Sequence, residues 1–206
     1  MILSSEYYLK TDNSNLPLTT AEVNDHLKES FTDISSEELI PIFIKAVEYF
    51  GEQFTKRVFL TKTFTNYRRC WESTYELRKS KLGVINSVKY YDTDDSLQTI
   101  DSSNYLTSNS EEFSSLYFIE TYSYPSLSSN IRQPIQIEFT AGYGTTESSI
   151  PNNIKTAMLN HLALLWKNRG DCMSQGSAFD TKYLERFLPK STLLIYSMER
   201  IKDIII

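Results

Sequence analysis

The chain has 206 residues, 40% of them hydrophobic and 23% charged, enough to bury a core without disulfides or a structural metal. A formal net charge of −5 excludes a broad electrostatic footprint for nucleic acid, and 14 Tyr with 11 Phe exclude disorder over most of the length. Cys70 and Cys172 are too few and too far apart for a disulfide framework or a zinc knuckle.

Residues 1–16 are polar and rich in Ser, Asn and Tyr, and read as an N-terminal arm. Met1–Lys10 lacks both the basic start and the continuous apolar run of a signal peptide. No stretch reaches the roughly 18 apolar residues of a membrane span, so a soluble protein of a reducing compartment is expected. A helical part follows over residues 17–57. Thr19 and Glu22 stand at capping-box spacing before a short helix whose apolar side is Val23, His26, Leu27 and Phe31. Ser35 and Glu38 open a second helix, along which Leu39, Phe43, Ala46, Val47, Phe50 and Phe54 repeat with helical period and predict one buried stripe. Pro41 should bend that helix or mark its true start, since proline removes a backbone donor.

From residue 58 to 145 the period changes to that of strands. Val58, Leu60 and Lys62 alternate with Phe59, Thr61 and Thr63. Ser87–Tyr91, Asp92–Ser96 and Leu97–Ile100 read as strand, turn and strand, although the turn lacks glycine. Ile135–Phe139 alternates cleanly and ends at Gly142 and Gly144, where the backbone turns tightly. The Ser-rich stretch 101–134 is expected to hold a long loop around Tyr122–Asn130. The sum is a small antiparallel sheet inserted into a helical protein.

Residues 146–189 return to helix. Pro151 sits in a first turn, where its missing donor costs little, and Ile154, Ala157, Met158, His161, Leu162 and Leu165 define a buried face. Gly170 is the expected stop. A weaker helix with Phe179, Tyr183, Leu184, Phe187 and Leu188 on one side ends at Pro189. The tail, residues 190–206, carries Leu193, Leu194, Ile195, Tyr196, Ile201, Ile204, Ile205 and Ile206, too many apolar side chains for a solvated terminus. The fold class is therefore α+β: a helical bundle with an inserted antiparallel β-sheet and extended N- and C-terminal arms.

No catalytic constellation emerges. His26 and His161 are the only imidazoles, and both read as core histidines on apolar helix faces. A metal site of His26, Cys70, His161 and Cys172 would need four distant segments to converge without one close ligand pair. Asp92–Ser96 superficially resembles a calcium loop, but Leu97 stands where glycine is needed and Ser103 where a bidentate Glu is needed. Thr140–Gly144 has the letters of a potassium filter without flanking membrane helices. Arg57, Lys62, Arg68, Arg69, Arg78, Lys79 and Lys81 form a mild basic cluster interleaved with Tyr67, Trp71 and Tyr75. Arg68 and Arg69 are its candidate contacts to a partner or to DNA. The expectation is a non-enzyme without cofactor or metal.

The order of motifs resembles the head–tail connector proteins of long-tailed phages and related gene transfer particles. Pro17–Glu22 with His26–Lys28 looks like that family's opening helix. Glu52–Arg57 is similar to its helix ending in a Thr–Gly–Arg-like turn, with Lys56 where glycine is usual. Val84–Thr99 resembles its central hairpin, with Asp95 replacing the turn glycine. Ile137–Gly144 followed by Ile150–Pro151, Ile154–Lys155, Ala157 and Trp166–Arg169 is the closest correspondence. The resemblance spans residues 17–170. It implies an adaptor or head-completion protein, one subunit of a homo-oligomeric ring, usually of twelve copies. That ring binds the portal protein and a downstream stopper or tail protein, and lets genomic DNA pass without specific binding. It also implies residence in the virion at the head–tail interface, and in the host cytoplasm during assembly. On this reading the apolar tail leaves its subunit and anchors to the portal. The alternatives are a head stopper or tail terminator, which are mostly β, or a soluble enzyme using the Tyr-rich β region as a pocket.

Overall fold

The computed structural model describes residues 6–28, 34–79, 82–109, 114–167 and 188–201. The chain divides into two compact units. One joins Met1–Asn13, Leu60–Tyr143 and Ile201–Ile206, and the other joins Ser14–Phe59 and Gly144–Arg200.

The first unit is built of strands: β1 (Glu6–Thr11), β2 (Lys62–Arg68), β3 (Thr74–Leu77), β4 (Leu82–Tyr91), β5 (Leu97–Ile100), β6 (Tyr105–Asn109), β7 (Ser114–Phe118) and β8 (Ile135–Ala141). They form two antiparallel sheets, ordered β1-β2-β8-β4-β5 and β3-β7-β6, where the sequence suggested one. The second sheet comes largely from the Ser-rich stretch. In β7 the buried positions are Ser114, Leu116 and Phe118, so a buried serine masks the alternation that hydropathy would detect. The N-terminal arm is likewise an edge strand over Glu6–Thr11, paired to β2 from Glu6 opposite Tyr67 to Thr11 opposite Thr63. Tyr7 ties it down: its hydroxyl donates to the Glu76 carbonyl (3.0 Å) and accepts from the Arg78 amide (3.2 Å).

β8 is the middle strand of the larger sheet. Ile135, Ile137, Phe139 and Ala141 point inward, in register with Phe64 on β2 and Val88 on β4. Gly142 follows at φ 142°, and a Cβ there would lie 2.6 Å from the Thr61 Cα, so only glycine fits. The β4–β5 turn works without glycine because Asp95 adopts the left-handed conformation (φ 58°). Asp92 Oδ1 accepts from the Asp94 and Ser96 amides, both at 3.0 Å. The Asp95 carboxylate accepts from the Ser128 hydroxyl and from Asn130 Nδ2, which pins the 122–130 loop to the hairpin. Hydrogen bonds from Gln98 to Asp92 and from Ser128 to Asp95 hold both carboxyls below the ordinary range. The Asp92 carboxylate thus serves its own turn, and the Asp95 carboxylate serves the neighbouring loop.

The second unit is helical: α1 (Thr20–Leu27), α2 (Ile34–Thr55), α3 (Asn152–Lys167) and α4 (Lys190–Glu199). α2, α3 and α4 pack on one another. The capping box at α1 forms in full. Thr19 Oγ1 accepts from the Glu22 amide (3.1 Å), and the Glu22 carboxylate accepts from the Thr19 amide (2.8 Å). Lys155 on α3 pairs with the same carboxylate. Burial alone would raise the Glu22 pKa, but the bonds from Lys155 and Thr19 outweigh it and hold the group below its ordinary value.

α2 runs through Pro41 rather than starting there. Its buried residues are Ile40, Ile44, Val47, Glu48, Gly51 and Thr55, a stripe centred one residue on from the expected Leu39, Phe43, Ala46, Val47, Phe50 and Phe54. Leu39 and Ala46 are exposed. Phe43, Phe50 and Phe54 flank the stripe half-buried, with ring centroids 5.5 Å from Trp166, 4.9 Å from His161 and 6.1 Å from Tyr196 respectively. Gly51 explains the shift. A Cβ there would sit 2.7 Å from the Phe59 ring and 3.0 Å from the Tyr196 hydroxyl, so close approach runs through a residue that apolar periodicity ignores. α3 buries Ile154, Ala157, Met158, His161 and Leu162 as expected, with Trp166 rather than Leu165 as its last buried residue. Gly170 and most of the expected 179–188 helix lie outside the described residues. Leu188 is described and buried.

Candidate interaction surfaces

The chemistry-bearing residues are dispersed. His26 is exposed in the last turn of α1, a correction to its reading as a core residue, because α1 ends at Leu27 and buries only Val23. His161 is 6% exposed on α3, its Nδ1 has no hydrogen-bond partner, and burial pushes its pKa down to about 4. It is a neutral core imidazole packed edge-on against Phe50. Cys70 is half-buried in the β unit, while Cys172 lies outside the described residues. Among the described residues no group of three or more His, Cys, Asp or Glu could hold a metal ion, and no helix is long and apolar enough to cross a membrane.

The basic cluster is mostly committed to internal partners. Arg68 Nε donates to Asn66 Oδ1 (2.7 Å), its Nη1 lies 3.5 Å from the Glu72 carboxylate, and its guanidinium sits over the Tyr75 ring. Only 10% of that side chain is exposed, so Arg68 braces the β unit and is not an open contact. Arg69 beside it is exposed. Arg57 donates to the Glu199 carbonyl, Lys62 lies 3.3 Å from Asp12, Arg78 pairs with Glu76, and Lys79 covers the Tyr7 and Phe64 rings. Lys81 is outside the described residues. The aromatic rings of this segment are equally occupied. Trp71 Nε1 donates to the Pro125 carbonyl (2.7 Å) and its ring meets Tyr90, Phe118 and Tyr124. Tyr75 is fully buried.

The outer face of the five-stranded sheet forms a polar groove of about 360 Å³ across β1, β2, β8 and β4. Lys10 pairs there with Glu138, which also accepts from Asn86 (3.2 Å) and feels Lys89. The hydrogen bond from Lys10 is the main reason its carboxyl lies below the ordinary range. Tyr8 and Tyr67 meet edge-on along one side.

The apolar surfaces lie elsewhere. On α2, Leu39, Ile42 (63% exposed) and Tyr49 (67%) face outward. On α4, Leu194 (62%) and Met198 (77%) do so. The tail residues divide accordingly. Leu194 is exposed, Leu193 and Ile195 are half-buried, and Tyr196 and Ile201 are buried within their own chain, so these two form no exposed apolar surface. Tyr196 fills the space beside Gly51, and Thr192 Oγ1 on the same helix face donates to the Ala157 carbonyl (3.2 Å). Burial pushes the Tyr196 hydroxyl upward in pKa. Ile204, Ile205 and Ile206 lie outside the described residues. Reading the tail as an extended arm missed its helix and the four-residue spacing of Thr192 and Tyr196, two polar-tipped residues that mark the buried side.

No protein-family model matches the sequence, and no curated protein matches it. Solved structures do. A chain in the neck of an empty gene transfer agent (GTA) particle, computed with C6 symmetry, superposes with a TM-score of 0.75 at 16% identity, over 97% of both chains. A chain in the virion of a native GTA particle gives 0.73 at 15% identity, again over 97% of both. A chain in the neck of a native GTA particle, computed with C12 symmetry, gives 0.67 at 15% identity over 100% of this chain and 98% of the other. The protein thus has, over its whole length, an α+β fold that occurs in the necks of phage-like particles.

Proposed function

We propose that the chain is a non-enzymatic structural subunit of the neck of a phage-like particle. It repeats around the particle axis as an adaptor ring, joins the portal protein to a downstream stopper or tail protein, and continues the channel for DNA. The single observation behind this reading is the end-to-end likeness, helical and β units together, to chains of GTA necks computed with C6 and C12 symmetry. A shared helix bundle or a shared sheet would be a commonplace; the same two units interleaved through 97% or more of both chains is not. The net charge of −5 suits a channel wall on which DNA must slide without sticking.

The portal anchor is assigned to the end of the chain, with Ile204, Ile205 and Ile206 as its apolar residues. Tyr196 and Ile201 are already engaged within the chain. Removing residues 202–206 leaves every residue of α4 in place and tests the assignment. Particles made with the shortened chain should show filled heads that lack this protein and the tail. Electron cryomicroscopy of particles carrying the full-length chain should place its density between portal and tail. Density located in the capsid shell or tail tube would refute the adaptor reading.

A further inference from the structure

The outer face of α2 carries an apolar row that its own unit does not use. Leu39, Ile42, Ala46 and Tyr49, all exposed, fall at i, i+3, i+7 and i+10, the spacing of a helix–helix seam. The outer face of α4 carries a second row, opposite its buried Thr192 and Tyr196: Lys190, Leu194 and Met198 at i, i+4 and i+8. A matching row runs along α2 at the same spacing, Glu38, Ile42 and Ala46, each exposed. Both rows advance about 6 Å per step, so they can lie side by side in register, as ridges of four-residue spacing do between packed helices.

We infer that the α2 face of one copy receives the α4 face of the next, with Glu38 against Lys190, Ile42 against Leu194, and Met198 over Ala46. The pairing is chemically directed. In this parallel register opposite charges meet, two branched aliphatic side chains meet, and the long, flexible methionine lies over the smallest residue of the row. The reversed register would set Met198 against Glu38 and Lys190 against Ala46. α2, α3 and α4 pack on one another within the unit, and that packing leaves Glu38, Ile42, Ala46, Lys190, Leu194 and Met198 exposed, so neither row is covered within one chain. A contact between two different patches is heterologous, and it passes from copy to copy into a closed ring or an open filament. The occupant is therefore a second copy of this chain, in keeping with chains of like fold that stand in C6 and C12 necks. The inference rests on reading the protein as a repeated neck subunit.

The α2 rows together run from Glu38 to Tyr49, about 16 Å, and a strip of helix width covers roughly a fifth of the surface each partner contributes to a stable complex. The joint is accordingly weak in a single pair, and cross-linking at high protein concentration is the suitable probe. The full-length protein with Cys70→Ser and Cys172→Ser, carrying Ile42→Cys and Leu194→Cys, should oxidise to a ladder of covalent dimers, trimers and higher species. Moving one thiol to the outer face of α3, as Ile42→Cys with Thr156→Cys, should give no ladder. Adding Glu38→Lys to the reactive pair should abolish the ladder, and adding Lys190→Glu as well should restore it. Circular dichroism confirms that each variant is folded. A ladder no stronger than that of the Thr156 control, or one indifferent to the charge reversal, overturns the interface. Particle microscopy separates the two readings: necks that stay intact with Ile42→Glu overturn this interface and leave the neck role standing. A chain absent from necks that still gives the charge-dependent ladder overturns the neck role alone.

Discussion

Acid should loosen the helical unit through one residue, His161. Its imidazole is 6% exposed, its Nδ1 lacks a partner, and burial lowers its pKa from 6.5 to about 4. The folded state therefore resists protonation that the unfolded chain accepts. Stability from the neutral form is complete above 6.5 and is lost as pH falls from there toward 4. At a pH of about 5 the loss is about 2 kcal/mol, approaching about 3 kcal/mol once both states are protonated. For a chain of this size, 2 kcal/mol lowers the melting midpoint by about 4–8 °C. Circular dichroism in the far ultraviolet follows the helices, and thermal scans between pH of about 7.5 and 5 would display the slope. His161→Leu keeps a similar volume, removes the unpaired nitrogen, and should flatten the slope while changing stability at neutral pH by about 1 kcal/mol or less. The depressed carboxyls, Glu22 and Glu138 among them, shift in the same sense but from a lower starting value. Their stabilisation is present above their unfolded values and disappears only as pH falls through their lowered folded values, a more acidic window. A wild-type midpoint that stays level between neutral pH and about 5, or a slope that survives His161→Leu, would show that the imidazole is not held neutral by burial.

Two substitutions probe the same unit by other means. Lys56 ends α2 at φ 60°, where any side chain is strained, so Lys56→Gly should stabilise the protein by about 0.5–1 kcal/mol in a denaturant titration. A loss of stability there would mean that the Lys56 side chain makes a contact outweighing its backbone strain. Leu162 is 1% exposed on the buried face of α3, and Leu162→Ala should cost about 2–5 kcal/mol, seen as a lower midpoint at unchanged slope.

What local chemistry dictates was legible in residue order. Thr19 and Glu22 have one dominant use at their spacing, and the capping box forms as read. The two-residue alternation of Ile135–Phe139 and the four-residue alternation of Ile154, Ala157, Met158, His161 and Leu162 each placed a buried face correctly, because those side chains are unambiguously apolar or nearly so. The α+β class follows from the same two periods.

Tertiary structure decided the rest, wherever a residue's role depends on what lies against it. The buried stripe of α2 is centred on Gly51 and includes Glu48 and Thr55, because Phe59 and Tyr196 press on the helix where there is no side chain. The arm became an edge strand because β2 offered an open row of backbone groups, and the tail became a helix because Tyr196 found the space beside Gly51. Arg68 looked like a surface contact and is a brace, since its fork finds Asn66, Glu72 and the Tyr75 ring, three partners brought together only by the fold. A sequence states the preferences of a residue and its near neighbours. Which apolar face is left over for another copy is a remainder, known only after each chain has buried what it can.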